Sequence, residues 1–349
     1  MSKLKVGIYH ATLPGAAGKK GGVEAAVHRL AESLSRRGTV EVTVFSSGEP
    51  PEGAKYAHRS VLNRTNRAKI TRLLLSPALM NVTDFGDVDL LHFHGDDWFY
   101  VRRAVPTIRT FHGSALHESR TATSVKRKLM QRLVYHLERL SARLATRSIS
   151  VGTETQTLYR CHYNIGNSVD LSLFRPQEKT PFPSLFFVGT WEGRKRGSFL
   201  FDVFCRKILP VYPDAKLFFV ADRCDPHPSV LHMKKIGDAE LAETMARSWV
   251  FAYPSLYEGF GIPYIEAMAA GTPIVTTPNP GANEVLEHGR YGIICDDGMF
   301  AESLLRLLGS EDERRAFADA GTGRALQYGE DAIASQIEAV YHSAMQDRS

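Results

Sequence analysis

Two carboxylates separated by seven residues, Glu258 and Glu266, sit in the stretch Tyr253-Pro254-Ser255-Leu256-Tyr257-Glu258-Gly259-Phe260-Gly261-Ile262-Pro263-Tyr264-Ile265-Glu266-Ala267-Met268-Ala269-Ala270-Gly271. A carboxylate accepts two hydroxyl donors, as vicinal hydroxyls on a sugar or ribose present them. Gly259 and Gly261 let the backbone approach a ligand closely, and Pro263 suits the first turn of a helix. The free N–H groups and positive dipole end of that helix favour a phosphate. Glu258 then lies in the loop and Glu266 about one turn into the helix, so both can face one pocket. The competing reading has Glu258 capping the helix and Glu266 solvated.

Other residues of chemical interest lie nearer the N-terminus. Gly18-Lys19-Lys20-Gly21-Gly22-Val23-Glu24 is a glycine loop without the Gly-Lys-Ser/Thr ending of a P-loop. Its glycines also miss the Gly-x-Gly-x-x-Gly spacing that, with a later acidic strand end, would mark an NAD site. Phe111-His112-Gly113-Ser114 follows a strand end. His92 and His94 face one way at strand spacing, which hints at metal, but no third ligand is apparent and packing or supporting roles are expected. Cys161, Cys205, Cys224 and Cys295 form no metal spacing and read as free buried thiols.

The elements that must position these groups alternate. Val6 to Tyr9 reads as a strand, followed by the glycine loop and a helix whose Val23, Ala26, Val27, Leu30 and Leu34 share a face. That helix ends near Arg36-Arg37-Gly38, and Val40 to Phe45 reads as the next strand. Leu90 to Phe93, Thr107 to Phe111 and Ser148 to Val151 are further strands, with a helix over about 125 to 145. The turn-rich segment from Gly166 to Pro183 marks a domain boundary. A second series follows: strands at Leu185 to Val188, Lys216 to Ala221, Val250 to Tyr253, Pro273 to Thr277 and Tyr291 to Cys295, with helices near 198 to 208, 238 to 247 and 263 to 270. The expected fold is α/β, with two Rossmann-like doubly wound domains facing a central cleft. The expected boundaries are 1–170, 171–325 and a C-terminal helix over 326–349.

With these motifs in place, the chain resembles glycosyltransferase family 4, retaining enzymes of GT-B fold that use nucleotide-activated sugars. The resemblance rests on Glu258 and Glu266 at the family's spacing, inside its Glu-Gly-Phe-Gly frame. It implies that Glu258 contacts the donor sugar's hydroxyls, that Glu266 binds the ribose hydroxyls, and that the amides of Gly259, Phe260, Gly261 and Ile262 meet the sugar and diphosphate. Gly21 and Gly22 would belong to the loop over the donor phosphate. His112 would hydrogen-bond the donor sugar or help organise the acceptor. The last helix would cross back to the first domain.

Val188-Gly189-Thr190-Trp191-Glu192-Gly193-Arg194-Lys195-Arg196-Gly197 resembles the loop in which the family clamps the diphosphate with Arg and Lys. This chain departs from the pattern: Thr190 stands at the usual arginine position, and Arg196-Gly197 replaces Lys-Gly. A departing nucleoside diphosphate needs cationic stabilisation whichever residues supply it, so Arg196 is the first expectation, with Arg194 or Lys195 substituting for the missing arginine. Glu258, His112 and Arg196 are thus the expected catalytic set. Asp87-Val88-Asp89 has the spacing that binds a metal in the other large glycosyltransferase fold, but it precedes a first-domain strand; no essential metal or cofactor is expected. The turn Asn279-Pro280-Gly281-Ala282-Asn283-Glu284 resembles one bordering base and ribose, with Glu284 expected to cap the next helix.

Composition sets the outer bounds. With 43% hydrophobic and 23% charged residues the chain has the apolar fraction of a globular protein, and its length suits two cores. No apolar run approaches the roughly 18 residues that cross a bilayer, and the N-terminus lacks the apolar core of a secretory signal, so a cytoplasmic protein is expected. Charge is uneven: residues 1 to 180 hold 27 basic against 15 acidic residues, +12, and the remainder 16 against 23, −7. The first half therefore suits an anionic partner or simply carries a solvated basic face. Val125 to Leu140 is basic and amphipathic, with Leu129, Leu133, Leu137 and Leu140 in one stripe. Core packing is the expected role of that stripe, and peripheral contact with anionic lipid on the inner membrane face, serving a lipid-linked acceptor, is the alternative. Nucleic acid is disfavoured, since no aromatic-basic platform accompanies the charge. Two rival functions stay open: a GT-B sugar-nucleotide epimerase, and a sugar-nucleotide binding protein whose catalysis has decayed.

Overall fold

A computed structural model describes residues 3–14, 21–62, 71–102, 104–121 and 124–346. Of the glycine loop, Gly18, Lys19 and Lys20 lie outside the described residues. The chain divides into two units, Met1–Ser168 with Glu330–Ser349, and Val169–Gly329.

The first unit contains β1 (Leu4–Tyr9), α1 (Gly22–Arg37), β2 (Val40–Ser46), β3 (Ala57–Ser60), α2 (Ser76–Leu79), β4 (Leu90–Phe93), β5 (Thr107–Phe111), α3 (Ala115–Thr121), α4 (Val125–Leu144), β6 (Arg147–Ser150), α5 (Thr153–Tyr159) and β7 (Tyr163–Asn164). The second contains β8 (Ser184–Gly189), α6 (Gly197–Val203), β9 (Lys216–Ala221), β10 (Val230–Met233), α7 (Asp238–Arg247), β11 (Val250–Tyr253), α8 (Ile262–Ala269), β12 (Ile274–Thr276), α9 (Pro280–Val285), β13 (Ile293–Ile294), α10 (Asp297–Gly309) and α11 (Glu311–Ala325). Helix α12 (Glu330–Gln346) returns to the first unit, packed against α1 and β5.

Both sheets are parallel, in the orders β3-β2-β1-β4-β5-β6-β7 and β10-β9-β8-β11-β12-β13. In each, successive strands spread outward on one side before the chain returns to the middle and builds the other. The direction reverses between β1 and β4 in the first unit and between β8 and β11 in the second. Ligands of open α/β sheets bind beyond the strand C-termini at such a reversal. Central strands such as β4, β5 and β11 are buried along their whole length. In β11 the side chains on both faces are apolar apart from the Tyr253 hydroxyl, whereas β4 and β5 also bury the polar His92, Thr107, Arg109 and Thr110.

In the first unit Tyr9, Phe45, Met80, Phe85, Leu91, Phe93 and Tyr100 form one buried cluster. Helix α12 is held there by charge as well as packing. Arg37 donates from Nε and Nη2 to the Glu338 carboxylate, 3.1 Å each, and Thr39 Oγ1 donates to the same group. In the second unit Phe186, Phe187, Phe204, Phe219, Phe251, Tyr253 and Tyr264 are fully buried.

One expectation is overturned by burial. In α4 only Leu137 and Ser141 are buried, while Leu129, Leu133 and Leu140 are 61%, 45% and 37% exposed. The C-terminal half of α4 is anchored by Glu138, which accepts from Ala115 N and Tyr159 Oη. The residues from Val125 to Met130 are all exposed, so the leucine stripe is not a core stripe along its length.

Candidate functional site

In the second unit the chemistry gathers at the sheet's reversal point. Strand β8 ends at Gly189 and leads to the cationic loop; β11 ends at Tyr253 and leads to Glu258. The two loops are tied through Leu256 N, which donates to Arg194 O at 2.9 Å. Glu258 is 6% exposed. Its Oε1 accepts from Arg194 Nη1 at 2.9 Å, Lys195 Nζ at 2.5 Å and Ser255 Oγ at 2.5 Å. Arg194 also donates to Tyr257 O, and Lys195 to Tyr253 Oη, with the ammonium 4.6 Å from the centre of that ring.

These contacts settle the charge states. Burial pushes the Glu258 carboxyl upward, but Lys195 first and Arg194 second outweigh it and hold it below its ordinary value. Burial pulls the Lys195 ammonium down to about 8 against the pull of Glu258; Arg194 pulls the same way as burial, and Glu266 also acts to raise it. At neutral pH the site is therefore an ionised carboxylate with two cations. Glu266, half-buried in α8, exerts its charge on the same Lys195 that Glu258 contacts, so both glutamates bear on one cationic centre.

The turn into α8 is sharp. Gly261 adopts φ +94°, in the left-handed region that favours glycine, and Pro263 follows in the first turn. The first N–H groups of α8 have no intrahelical partner by construction. Phe260 is buried against Tyr328, with ring centres 5.7 Å apart, so only its backbone is left for a ligand.

Arg196, the first expectation for the diphosphate, is held by a different carboxylate in this structure. It sits in the left-handed region at φ 56°, and its guanidinium forks onto Asp297 at 2.8 and 2.7 Å while lying 4.1 Å from the Phe199 ring centre. Of the three neighbouring cations, Arg194 and Lys195 reach Glu258. Arg196 is tied to Asp297 instead. Thr190 turns its hydroxyl onto Glu192 O at 2.6 Å.

Three supporting residues were given no individual role by the sequence reading. Ser255 donates directly to Glu258. Asn279 donates through Nδ2 to Ser255 O, Thr277 O and Tyr264 Oη, and its Oδ1 caps α9 by accepting from Ala282 N. Glu284, expected to cap, lies inside α9 instead. Gly281 donates its N–H to Glu258 O at 2.9 Å, and a Cβ there would lie 2.5 Å from Phe260 O and 2.9 Å from Glu258 Cβ. An Asn-x-Gly turn after a strand signals a cap and a close approach, but not what it approaches.

In the first unit, Gly21 precedes α1 and Gly22 opens it. His10, His94 and His112 lie just beyond the C-terminal ends of β1, β4 and β5, around the other reversal point. His112 Nε2 is 2.9 Å from His94 Nδ1, and His112 Nδ1 is 3.2 Å from Asn167 Oδ1. Burial brings His112 down to about 3, with the charges of His10 and Arg109 acting the same way and the bond to Asn167 opposing. His92 is a packing residue, bonded to Tyr341 Oη at 2.9 Å and Thr110 Oγ1 at 2.8 Å. Asp87 lies on the surface, paired to Lys5 at 2.5 Å. Among the described residues no group of three His, Cys, Asp or Glu is placed to hold a metal, and no helix is long and apolar enough to cross a membrane.

Two parallel doubly wound units, each with its polar residues at the reversal point, are the layout of GT-B glycosyltransferases. Comparison with known proteins agrees. The model of "Glycosyltransferase Family 4" matches residues 20–171, and that of "Glycosyl transferases group 1" matches residues 214–324. A phosphatidyl-myo-inositol mannosyltransferase of Mycobacterium leprae is 28% identical, over 93% of this chain and 93% of its own. Sucrose-phosphate synthase of Thermosynechococcus elongatus superposes with TM-score 0.80 at 18% identity, covering 99% of this chain and 100% of that one. Anabaena HepE, solved in complex with UDP and glucose, gives TM-score 0.72 at 17% identity over 97% of this chain and 100% of its own. The chain belongs to glycosyltransferase family 4, and it is an enzyme of that class.

Proposed function

We propose that this enzyme moves a sugar from a nucleoside diphosphate sugar to an acceptor hydroxyl with retention of configuration, in glycan, glycolipid or glycoconjugate biosynthesis. The observation that carries the reading is the ionised, buried Glu258 held by Lys195 and Arg194 at the mouth of α8. A carboxylate that is charged, desolvated and only partly saturated by donors can take sugar hydroxyls. Glu266 is assigned to the ribose hydroxyls, and the amides of Gly259 to Ile262 to the sugar and diphosphate.

Arg194 and Lys195, rather than Arg196, are assigned to the charge that grows on the departing diphosphate. In a site shielded from water, cations already in position stabilise that charge without reorganising. With two cations supplied by the chain, no metal ion is assigned to the reaction. No side chain is assigned as nucleophile. The leaving phosphate assists deprotonation of the acceptor on the face it departs from, so the new bond forms on that same face.

HepE is solved with UDP and glucose, which supports a nucleotide-sugar donor. The Mycobacterium relative is named for a phosphatidyl-inositol acceptor. A lipid-linked acceptor for this enzyme fits the exposed leucines of α4, which stand among Lys126, Arg127, Lys128 and Arg132. A helix of this kind suits the interface of an anionic bilayer, which supports a peripheral position on a cytoplasmic membrane face.

The test is a panel of UDP-, GDP- and ADP-hexoses offered with an acceptor extract, the anomeric configuration of the product being read by NMR. One donor is expected to give product of its own configuration. Inverted product, or a covalent sugar adduct on Glu258, would contradict the mechanism, and epimerised sugar from donor alone would contradict the reaction.

A further inference from the structure

Asn279 lies in the turn between β12 and α9, 4% exposed, and its one side chain touches the loop after β11, the first turn of α8 and the start of α9. Chemistry fixes which way the amide points. Ser255 O and Thr277 O only accept, so Nδ2 faces them, at 3.1 and 2.9 Å, and Ala282 N only donates, so Oδ1 faces it at 2.9 Å. Tyr264 Oη lies 2.9 Å from the same Nδ2. The Thr276 hydroxyl donates to Tyr253 O at 2.7 Å and so accepts the Tyr264 proton at 2.8 Å, which leaves Tyr264 Oη as an acceptor for Asn279.

The branches of this network lead to the two halves of the donor site. Ser255 is one branch: its carbonyl accepts from Asn279 and from Thr277 Oγ1, the latter at 2.8 Å, and its Oγ donates to Glu258 at 2.5 Å. Tyr264 is the other, standing in the first turn of α8, where the leading N–H groups lack intrahelical partners. One planar group thus fixes the carboxylate's loop and the helix end relative to each other. Other side chains do not reproduce it. Asp has no proton to give when ionised, and Ser has one where Asn has two. A buried network of this kind acts as a unit, so a change at its centre is felt at both ends.

We infer that Asn279 is a positioning residue for the donor: through Ser255 and Tyr264 it sets the spacing between the Glu258 carboxylate and the amino end of α8, and so between the groups that take the sugar and the diphosphate. This deepens the transferase reading and rests on it for the identity of the ligand. A ligand that spans both groups feels an error in their spacing, whereas one that meets the helix end alone does not.

The test compares two such ligands at equilibrium. UDP is paired with UDP-glucose and GDP with GDP-mannose, and the pair that the native enzyme binds more tightly is followed by calorimetry. Asn279→Ser keeps a side-chain cap for α9 and loses the bridge to Tyr264. Its affinity for the nucleotide sugar is expected to fall about tenfold, because a misplacement of about 1 Å is already costly, while its affinity for the nucleoside diphosphate stays within about twofold. In Glu258→Gln the grip on the sugar is already gone, so adding Asn279→Ser should cost no more than about a further twofold. Tyr264→Phe, which cuts one branch and keeps the shape of the ring, should show the same selective loss at smaller size and serves if Asn279→Ser does not fold. Parallel loss of both ligands, which a merely structural role gives, or full additivity with Glu258→Gln would overturn the assignment. These readings need no turnover, so they can fail while transfer is observed; binding of neither pair by the native enzyme would overturn the positioning and the transferase reading together.

Discussion

Lys195 Nζ lies 2.5 Å from the carboxylate of Glu258, and the two residues arrive from different strands on either side of the reversal in the second sheet. The lysine is buried enough to titrate at about 8, whereas the glutamate stays ionised below its ordinary value. A cation this close to losing its proton leaves a signature in rate against pH.

Activity should therefore depend on pH through Lys195. Below about 8 the ammonium is present and can meet the diphosphate; above it the charge is lost. kcat/KM reports the free enzyme, so its profile should fall on the alkaline side with a midpoint near 8. Lys195→Arg keeps a cation that does not titrate in this range. The variant is expected to be slower but to lack the alkaline fall, and a fall retained in it would assign the titration elsewhere.

The three neighbouring cations should separate in a mutational series. Removing one positioned charge donor typically costs about 100- to 1,000-fold in kcat. Lys195→Ala and Arg194→Ala should fall in that range. Arg196→Ala should cost much less, because its guanidinium is spent on Asp297. Steady-state rates of the three variants check the order.

Gly281 should tolerate no side chain. A methyl group there meets backbone at Phe260 and the Glu258 Cβ, so Gly281→Ala must displace the loop that carries the carboxylate. The expected result is a folded protein, by circular dichroism, whose donor affinity drops at least tenfold, since a misplaced reacting group is costly even at about 1 Å.

Helix α4 should bind anionic membranes. Sedimentation with phosphatidylglycerol vesicles is expected for the native chain and lost in Leu129→Glu/Leu133→Glu, with weakening at high salt because the attraction is partly ionic. Equal binding to neutral phosphatidylcholine would point to apolar contact alone.

The C-terminal helix should loosen when its ion pair is cut. Glu338 is 7% exposed and accepts the Arg37 fork. Hydrogen bonds to charged groups contribute roughly 1.5 to 3 kcal/mol. Glu338→Ala should lower stability by about 2 kcal/mol in denaturant titration and make α12 more accessible to protease.

The central strands lie where the sequence puts them: Leu90–Phe93 and Val250–Tyr253 were readable because burial on both faces writes them as largely apolar runs, and Thr107–Phe111 because its threonines and isoleucine are β-branched. The edge strands Ala57–Ser60 and Val230–Met233 were not, because they are largely solvent-exposed and carry no such run. The stripe in α4 looked like core because helical spacing reports a face, not what covers it. The glutamate pair was legible from spacing within its frame. Which cation meets Glu258 was not, since Arg194, Lys195 and Arg196 are chemically alike and consecutive, and only the left-handed turn at Arg196 sends that one to Asp297.

The most direct measurement is sugar transfer by Glu258→Gln, a variant that keeps the shape of the side chain and removes its charge, compared with the native enzyme on the same donor. The account predicts a loss of at least about 100-fold in kcat/KM with the melting temperature little changed. Unaltered transfer would show that the carboxylate held by Lys195 and Arg194 does not grip the activated sugar.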